Sequence, residues 1–241
     1  MLTIGAVADV HSPKYLKLFR EAMDTLDVSA IDLMFLAGDM IYKGRVEEMN
    51  NIIDILERKG VNCPIIAVFG NEEFEDRHEK IRRLCEGKII FLDDESVVLN
   101  LKGLKVGIVG TKGSLDKPTT WQARNIPNIQ QIYSERIKKV DNLLANLNSD
   151  VKILLMHYAP TYKTLKGEKT SIYPLLGSKK FEEVILRRRP DLVIHAHAHN
   201  GSEFASLNGI PVYNVSLPLT RKICIIKLKG ARGLDAFISR G

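Results

Sequence analysis

Cysteine is scarce in this chain. Cys63, Cys85 and Cys224 are the only three in 241 residues, an odd number set far apart with no Cys-x-x-Cys pair. That pattern excludes a disulfide framework and a zinc knuckle, and fits the reduced thiols of a cytoplasmic protein. Long apolar runs are missing too. None approaches the ~20 residues that span a bilayer, so no membrane partner is expected. The opening Met1-Leu2-Thr3-Ile4-Gly5 carries no basic segment and does not read as a signal peptide. Proline, glycine and serine are nowhere concentrated, and no repeat or low-complexity tract is evident. With 45% apolar and 27% charged residues, the composition excludes disorder and predicts a single well-buried domain over residues 1–241.

Acidic residues are outnumbered by basic ones, giving a net charge of +6 and a pI near 9.1. The basic runs Arg82-Arg83, Lys138-Lys139 and Arg187-Arg188-Arg189 suit solvated helix faces and helix ends, where cations complement the dipole. A phosphorylated substrate would benefit from this field. No aromatic residues interleave the basic runs as they do in single-strand binders. Nucleic acid therefore stays open as a partner but is not favoured.

Apolar periodicity predicts strands at 2–10, 31–37 and 64–69, separated by helices at 14–27 and 45–59 and followed by a helix at 74–85. Strands joined by helices of that length imply parallel crossovers. Three further strands are expected at 88–92, 96–101 and 105–109, the last two joined by Lys102-Gly103. A polar stretch, Thr111 to Pro127, precedes a helix at 128–147 with Ile132, Ile137, Val140, Leu144 and Leu147 in register. A strand at 151–156, a helix at 178–188 and a strand at 191–194 come next. Three β segments close the chain at 203–207, 212–215 and 222–228, with Asn208-Gly209 as a hairpin turn. The fold class is α/β, with two mixed sheets packed face to face and helices outside, in α-β-β-α layers.

Five short polar clusters punctuate this pattern, each at the carboxyl end of a strand-like run: Asp9-Val10-His11, Gly38-Asp39, Gly70-Asn71, His157 and His197-Ala198-His199. Taken alone, a Gly-Asp or Gly-Asn pair is a turn, and a lone histidine at a strand end is a hydrogen-bonding residue. His195-Ala196-His197-Ala198-His199 is harder to dismiss, because three alternating histidines ending an apolar strand are costly to hide. Imidazole nitrogens mixed with carboxylate and amide oxygens are the donor set of first-row divalent metals. Strand ends are where an open α/β sheet places its ligands. In an extended chain the spacing of two puts Asp9 and His11 on one side, and the same logic applies to His197 and His199. Asp39, whose carboxylate has two oxygens and follows a glycine, is the best-placed residue to bridge two metals.

These same residues resemble the ordered signature of the calcineurin-like metallophosphoesterases: Asp-x-His, Gly-Asp, Gly-Asn-His, a lone His, and Gly-His-x-His. The resemblance runs from Asp9 to His199 and implies a dinuclear metal centre in a two-sheet sandwich. By that pattern Asp9, His11, Asp39 and His199 would hold one ion, and Asp39, Asn71, His157 and His197 the other. Manganese is the expected metal, with nickel, cobalt, zinc or iron as substitutes. A hydroxide between the ions would attack phosphorus in line, with Asp39, Asn71 and His157 expected at the reacting centre. The implied activity is a metal-dependent phosphoesterase, with a phosphodiester favoured over a monoester. A nuclease, or a non-catalytic scaffold or binding protein on the same fold, is the alternative.

The chain departs from the signature twice. Ala196 stands where the last motif has glycine, and His195 just before it is expected to support a ligand or pack in the core. Glu72 occupies the place of the Gly-Asn-His histidine, the residue the family is thought to use on the leaving group. That departure favours the small prokaryotic branch of the family. Glu72 and Glu73 are expected as carboxylates at a helix N-terminus, with a supporting contact to the metal ligands left open. The stretch from Thr111 to Pro127, which carries the single tryptophan Trp121, is a candidate lid together with residues 161–178.

Overall fold

The computed structural model describes residues 1–229. Residues 230–241, which the single-domain expectation includes, lie outside the described residues. The first half runs β1 (Leu2–Val7), α1 (Leu16–Asp24), β2 (Leu33–Leu36), α2 (Met49–Arg58), β3 (Ile65–Val68), α3 (His78–Leu84) and β4 (Ile90–Leu92). Then come β5 (Glu95–Leu101), β6 (Leu104–Thr111), α4 (Thr120–Asn125), α5 (Ile129–Asn146) and β7 (Val151–Met156). The chain continues through α6 (Lys180–Arg188), β8 (Leu192–His195), β9 (Phe204–Leu207), β10 (Ile210–Asn214), α7 (Leu217–Thr220) and β11 (Cys224–Leu228). Among the described residues no helix is long and apolar enough to cross a membrane.

The strands form two sheets, ordered β11-β1-β2-β3-β4 and β5-β6-β7-β8-β10-β9. β1 to β4 are mutually parallel, with β11 antiparallel on one edge. β6, β7, β8 and β10 are parallel, with β5 and β9 antiparallel at the two edges. Period-two alternation divides each strand between two cores. In β2, Leu33 and Phe35 face the other sheet, while Met34 and Leu36 face the helices. Likewise Ile153 and Leu155 of β7 point between the sheets, and Leu154 and Met156 point at α5 and α6. The layers are those expected: helices, sheet, sheet, helices.

α2 shows why its residues are helical. Met49, Ile52, Ile53 and Leu56 recur at the 3, 4, 7 spacing of one helix face, and all four are buried. α5 departs from its expected stripe. Ile132 is exposed, and Ile129 and Tyr133 are buried instead, packed on Leu115 and Tyr158. The polar stretch 111–127 also holds a helix that was not expected, α4. Its N-terminus is a capping box in which Thr119 accepts from the Gln122 N–H and the Gln122 side chain accepts from the Thr119 N–H.

The sheets approach each other closely where β6 crosses β3 and β4. A methyl group at Gly110 would overlap Leu92 Cβ and lie 3.0 Å from Val68 Cγ1. Forcing a side chain into a packed interior typically costs about 1–3 kcal/mol. Gly110→Ala should therefore lower the denaturant midpoint with an unchanged slope. A midpoint equal to wild type would mean that the sheets separate freely here.

Candidate metal centre

The expected clusters do meet, at the carboxyl edge of both sheets and in the space between them. The backbone that delivers them is not extended. β1 stops at Val7, and Asp9 (φ 57°), His11 (φ 43°), Asp39 (φ 52°) and His197 (φ 72°) all lie in the left-handed region. The pleat argument for Asp-x-His and His-x-His therefore fails. Left-handed turns, not strand alternation, aim these side chains, at a cost of roughly 1–2 kcal/mol for each non-glycine residue.

Two glycines let the turns close. A side chain at Gly38 (φ 89°) would lie 2.7 Å from both the Gly70 nitrogen and His157 Nδ1. One at Gly70 would overlap Asp39 Oδ1. The loops after β1 and β2 then run side by side. Asp9 N donates to Gly38 O at 3.0 Å, His11 N to Asp39 O at 2.9 Å and Ser12 N to Met40 O at 2.9 Å.

The side chains form two groups, each with its donor atoms within 4.8 Å of one another: Asp9, His11 and His199, and Asp39, His157 and His197. Asp39 reaches both, because its Oδ2 lies 3.4 Å from His157 Nε2 and 3.8 Å from His11 Nε2. Asn71 Oδ1 lies 3.2 Å from His157 Nε2 and joins the second group. His197 and His199 go to different groups, so the spacing of two divides this pair. His195 joins neither. It is fully buried, its Nδ1 donates to Ala196 O at 2.9 Å, and burial pushes its pKa down to about 4.

The donor set fits two divalent ions. Asp9 Oδ1 and His11 Nε2 are buried and have no hydrogen-bond partner, an arrangement costly without a cation between them. The remaining atoms of the ligands are used to orient them. His157 Nδ1 donates to Ala37 O at 3.0 Å, which turns Nε2 inward. Asp39 Oδ1 accepts from the Glu72 N–H at 2.7 Å, and Asp9 Oδ2 accepts from the His197 N–H at 3.0 Å.

Glu73 starts no helix, and takes up instead the supporting contact to a candidate ligand that the sequence leaves open for it. The helical turn it was expected to start begins only at Glu75. Glu73 is 2% exposed and its carboxylate accepts from Asp39 N at 2.8 Å, Gly70 N at 2.7 Å and Ile41 N at 3.1 Å. Burial, with the Asp39 carboxylate nearby, pushes its pKa up to about 7. No local pattern separates Glu73 from Glu72 and Glu75 in the same acidic run. Only the fold makes it a brace. Glu72 is also not at a helix start: it stays half-buried, with Oε2 accepting the Lys43 N–H at 2.7 Å.

The two candidate lid stretches are tied together. Asp116 accepts from Tyr162 OH at 2.8 Å, Ser178 Oγ at 2.7 Å and Lys179 N at 3.0 Å. The Gln122 side chain donates to Tyr158 OH at 3.3 Å, and the Tyr158 ring packs edge-on to His197 with centroids 4.9 Å apart. Trp121, on the same short helix as Gln122, is exposed.

The electrostatics of the ligands give a prediction. Burial alone would lower the His157 pKa, but the Asp39 and Asp9 carboxylates override it and carry the group up to about 9. Desolvation and the positive charge on His157 push His197 down to about 3. A histidine must be neutral to ligate, so loading the metal-free protein at pH 7 should expel the His157 proton, with a further contribution from His199, whose pKa the Asp9 carboxylate also raises. The release should fade as pH rises past 9. Calorimetric titration of metal in two buffers of different ionisation enthalpy measures it, and equal release at pH 7 and pH 10 would rule the assignment out.

Comparison with known proteins agrees with this geometry. The chain matches the calcineurin-like phosphoesterase family over residues 2–201. No curated protein matches it closely by sequence. Among solved structures, a dimetal phosphatase from Danio rerio is 13% identical with a TM-score of 0.59, over 89% of this chain and 86% of that one. A 5'-nucleotidase precursor from Thermus thermophilus is 15% identical with a TM-score of 0.54, over 95% of this chain and 54% of that one. Yellow lupin purple acid phosphatase is 13% identical with a TM-score of 0.56, over 95% of this chain and 46% of that one. At these identities the likeness is one of fold. The family match over most of the chain carries the assignment, and the chain belongs to the calcineurin-like phosphoesterases.

Proposed function

We propose that this chain hydrolyses a phosphodiester with two divalent ions, manganese first among them, held by Asp9, His11, Asp39, Asn71, His157, His197 and His199. The observation that carries the proposal is the pair of donor groups sharing Asp39, with the buried Asp9 Oδ1 and His11 Nε2 left for a cation. When bound, such a pair supplies Lewis-acid stabilisation of the attacking and leaving oxygens in an in-line displacement. The chain itself supplies orientation. Asp39, fixed by the Glu72 N–H and by the Glu73 brace behind its backbone, presents Oδ2 between the groups. His157 is locked by Ala37 O, and Asn71 adds a neutral amide oxygen beside it.

The full set of candidate ligands argues against an inert scaffold, and among the described residues no aromatic-lined basic track favours a nuclease. Cys63, Cys85 and Cys224 are all unpaired, which supports a reducing, cytoplasmic setting.

Two experiments test this reading. Protein stripped by chelator and reconstituted with manganese should hydrolyse bis(p-nitrophenyl) phosphate faster than p-nitrophenyl phosphate. Cobalt, nickel, zinc or iron should restore less. A preference for the monoester would reverse the substrate assignment.

The second experiment concerns Glu72, whose carboxylate is engaged with the Lys43 N–H. A general acid is typically worth ~10²–10⁴-fold, most of all with poor leaving groups. Glu72→Gln should leave turnover of aryl and alkyl diesters within about tenfold of wild type, because no proton-transfer step is removed. Selective loss of alkyl hydrolysis would make Glu72 the acid.

A further inference from the structure

Lys112 is a buried cation whose one ion-pair contact among the described residues is a distant one, to Glu75 Oε1 at 3.8 Å. It follows β6, and alternation along that strand fixes where it points. Val106 and Ile108 face the inter-sheet core, a methyl at Gly110 would strike Leu92 and Val68 of the other sheet, and Lys112 is next in that series. The parallel ladder to β7 pairs Thr111 with Met156 and continues with Tyr158 N donating to Lys112 O at 3.0 Å, which sets Lys112 beside His157. Adjacent strands lie about 4.8 Å apart. The two side chains therefore leave the sheet on the same side, His157 over β2 and β3 and Lys112 over the residues that follow β3 and β4. His157 reaches the ends of β2 and β3 at Ala37 O and Asn71 Oδ1, and Lys112 reaches Glu75 in the loop that follows Asn71.

A counter-ion role does not account for it. Lys112 is 9% exposed and makes no side-chain hydrogen bond among the described residues. Its nearest carboxylate oxygen is Glu75 Oε1 at 3.8 Å, on a largely exposed side chain. Glu73 already accepts three backbone N–H groups, and Asp93 faces His78 at 3.3 Å. Arg136, the other cation in this region, is paired with Asp94 at 2.9 Å and adds repulsion to Lys112. An ammonium so enclosed without a hydrogen-bond acceptor is unfavourable unless an anion visits it.

We propose that Lys112 binds the substrate's phosphoryl oxygens beside the second metal group. It is a substrate ligand supplied by the chain, one strand along from His157. The proposal rests on the phosphoester reading above for the identity of the anion. A bound phosphate favours the ammonium and protects it.

Two measurements on manganese-loaded protein decide it. Inorganic phosphate should slow trace acetylation of Lys112 in the wild-type protein, mapped by peptide mass. Calorimetric titration with inorganic phosphate should show affinity at least about tenfold weaker in Lys112→Met, as expected for loss of a charge-assisted hydrogen bond. Lys112→Arg should recover part of that loss, and metal content measured in parallel should stay that of wild type. Unchanged acetylation with phosphate, or phosphate affinity within about twofold of wild type in Lys112→Met, overturns the proposal. If Lys112→Met does not fold, the wild-type protection experiment still gives the answer. Protection of Lys112 in a protein that hydrolyses no ester would sink the hydrolase reading and leave this site standing. Hydrolysis without protection sinks the site alone.

Discussion

A single buried carboxylate braces the frame of the candidate metal centre. Glu73 accepts three backbone N–H groups from the two loops that follow the neighbouring strands β2 and β3. Hydrogen bonds to a charged group are worth roughly 1.5–3 kcal/mol each. That is the same order as the strain of a left-handed turn at a non-glycine residue, and Asp39, whose N–H Glu73 receives, has such a turn. The brace and the strained turn thus belong to one device. Removing the carboxylate would leave three buried donors unmet, and Asp39 would keep its turn only through the His11 and Glu72 N–H groups.

The fold was largely legible because period-two and period-3.6 patterns are strong over the buried elements. β2 and β7 alternate between two cores, and α2 presents one clean stripe. Legibility failed where context overrides pattern. α4 is six residues long, and its only local signal is the Thr119-x-x-Gln122 capping box inside a polar stretch. In α5 the exchange of Ile132 for Tyr133 reflects a second, smaller apolar cluster around Leu115 and Tyr158, which no periodicity of the helix itself contains.

The site was legible in its chemistry and not in its geometry. Asp9, His11, Asp39, Asn71, His157, His197 and His199 stand out as candidate donors because their types and strand-end positions recur together. Their convergence depends on dihedral angles that residue identity barely signals. Only Gly38 and Gly70 mark the tight approach in advance, and the clashes there show why a side chain is excluded. Glu73 was hidden for the opposite reason. A carboxylate in a charged run looks like solvent-facing surface until the fold encloses it.

The left-handed turn at His197 also determines what kind of centre forms. In an extended strand, His195, His197 and His199 would present one face together, and His197 and His199 would reach toward one ion. With φ at 72°, His197 instead turns to Asp39 and His157, His199 stays with Asp9 and His11, and His195 remains in the core. The turn is held from the other side of the site, because the N–H of His197 donates to Asp9 Oδ2 while Asp9 Oδ1 stays free for a cation. Asp9 in the first donor group therefore fixes the backbone that delivers a ligand to the second. Asp39 makes the reciprocal connection through its Oδ2. The two groups share a carboxylate and a backbone hydrogen bond, so a change at one ion's ligands alters the geometry offered to the other. That coupling is a property of the protein scaffold before any metal enters it.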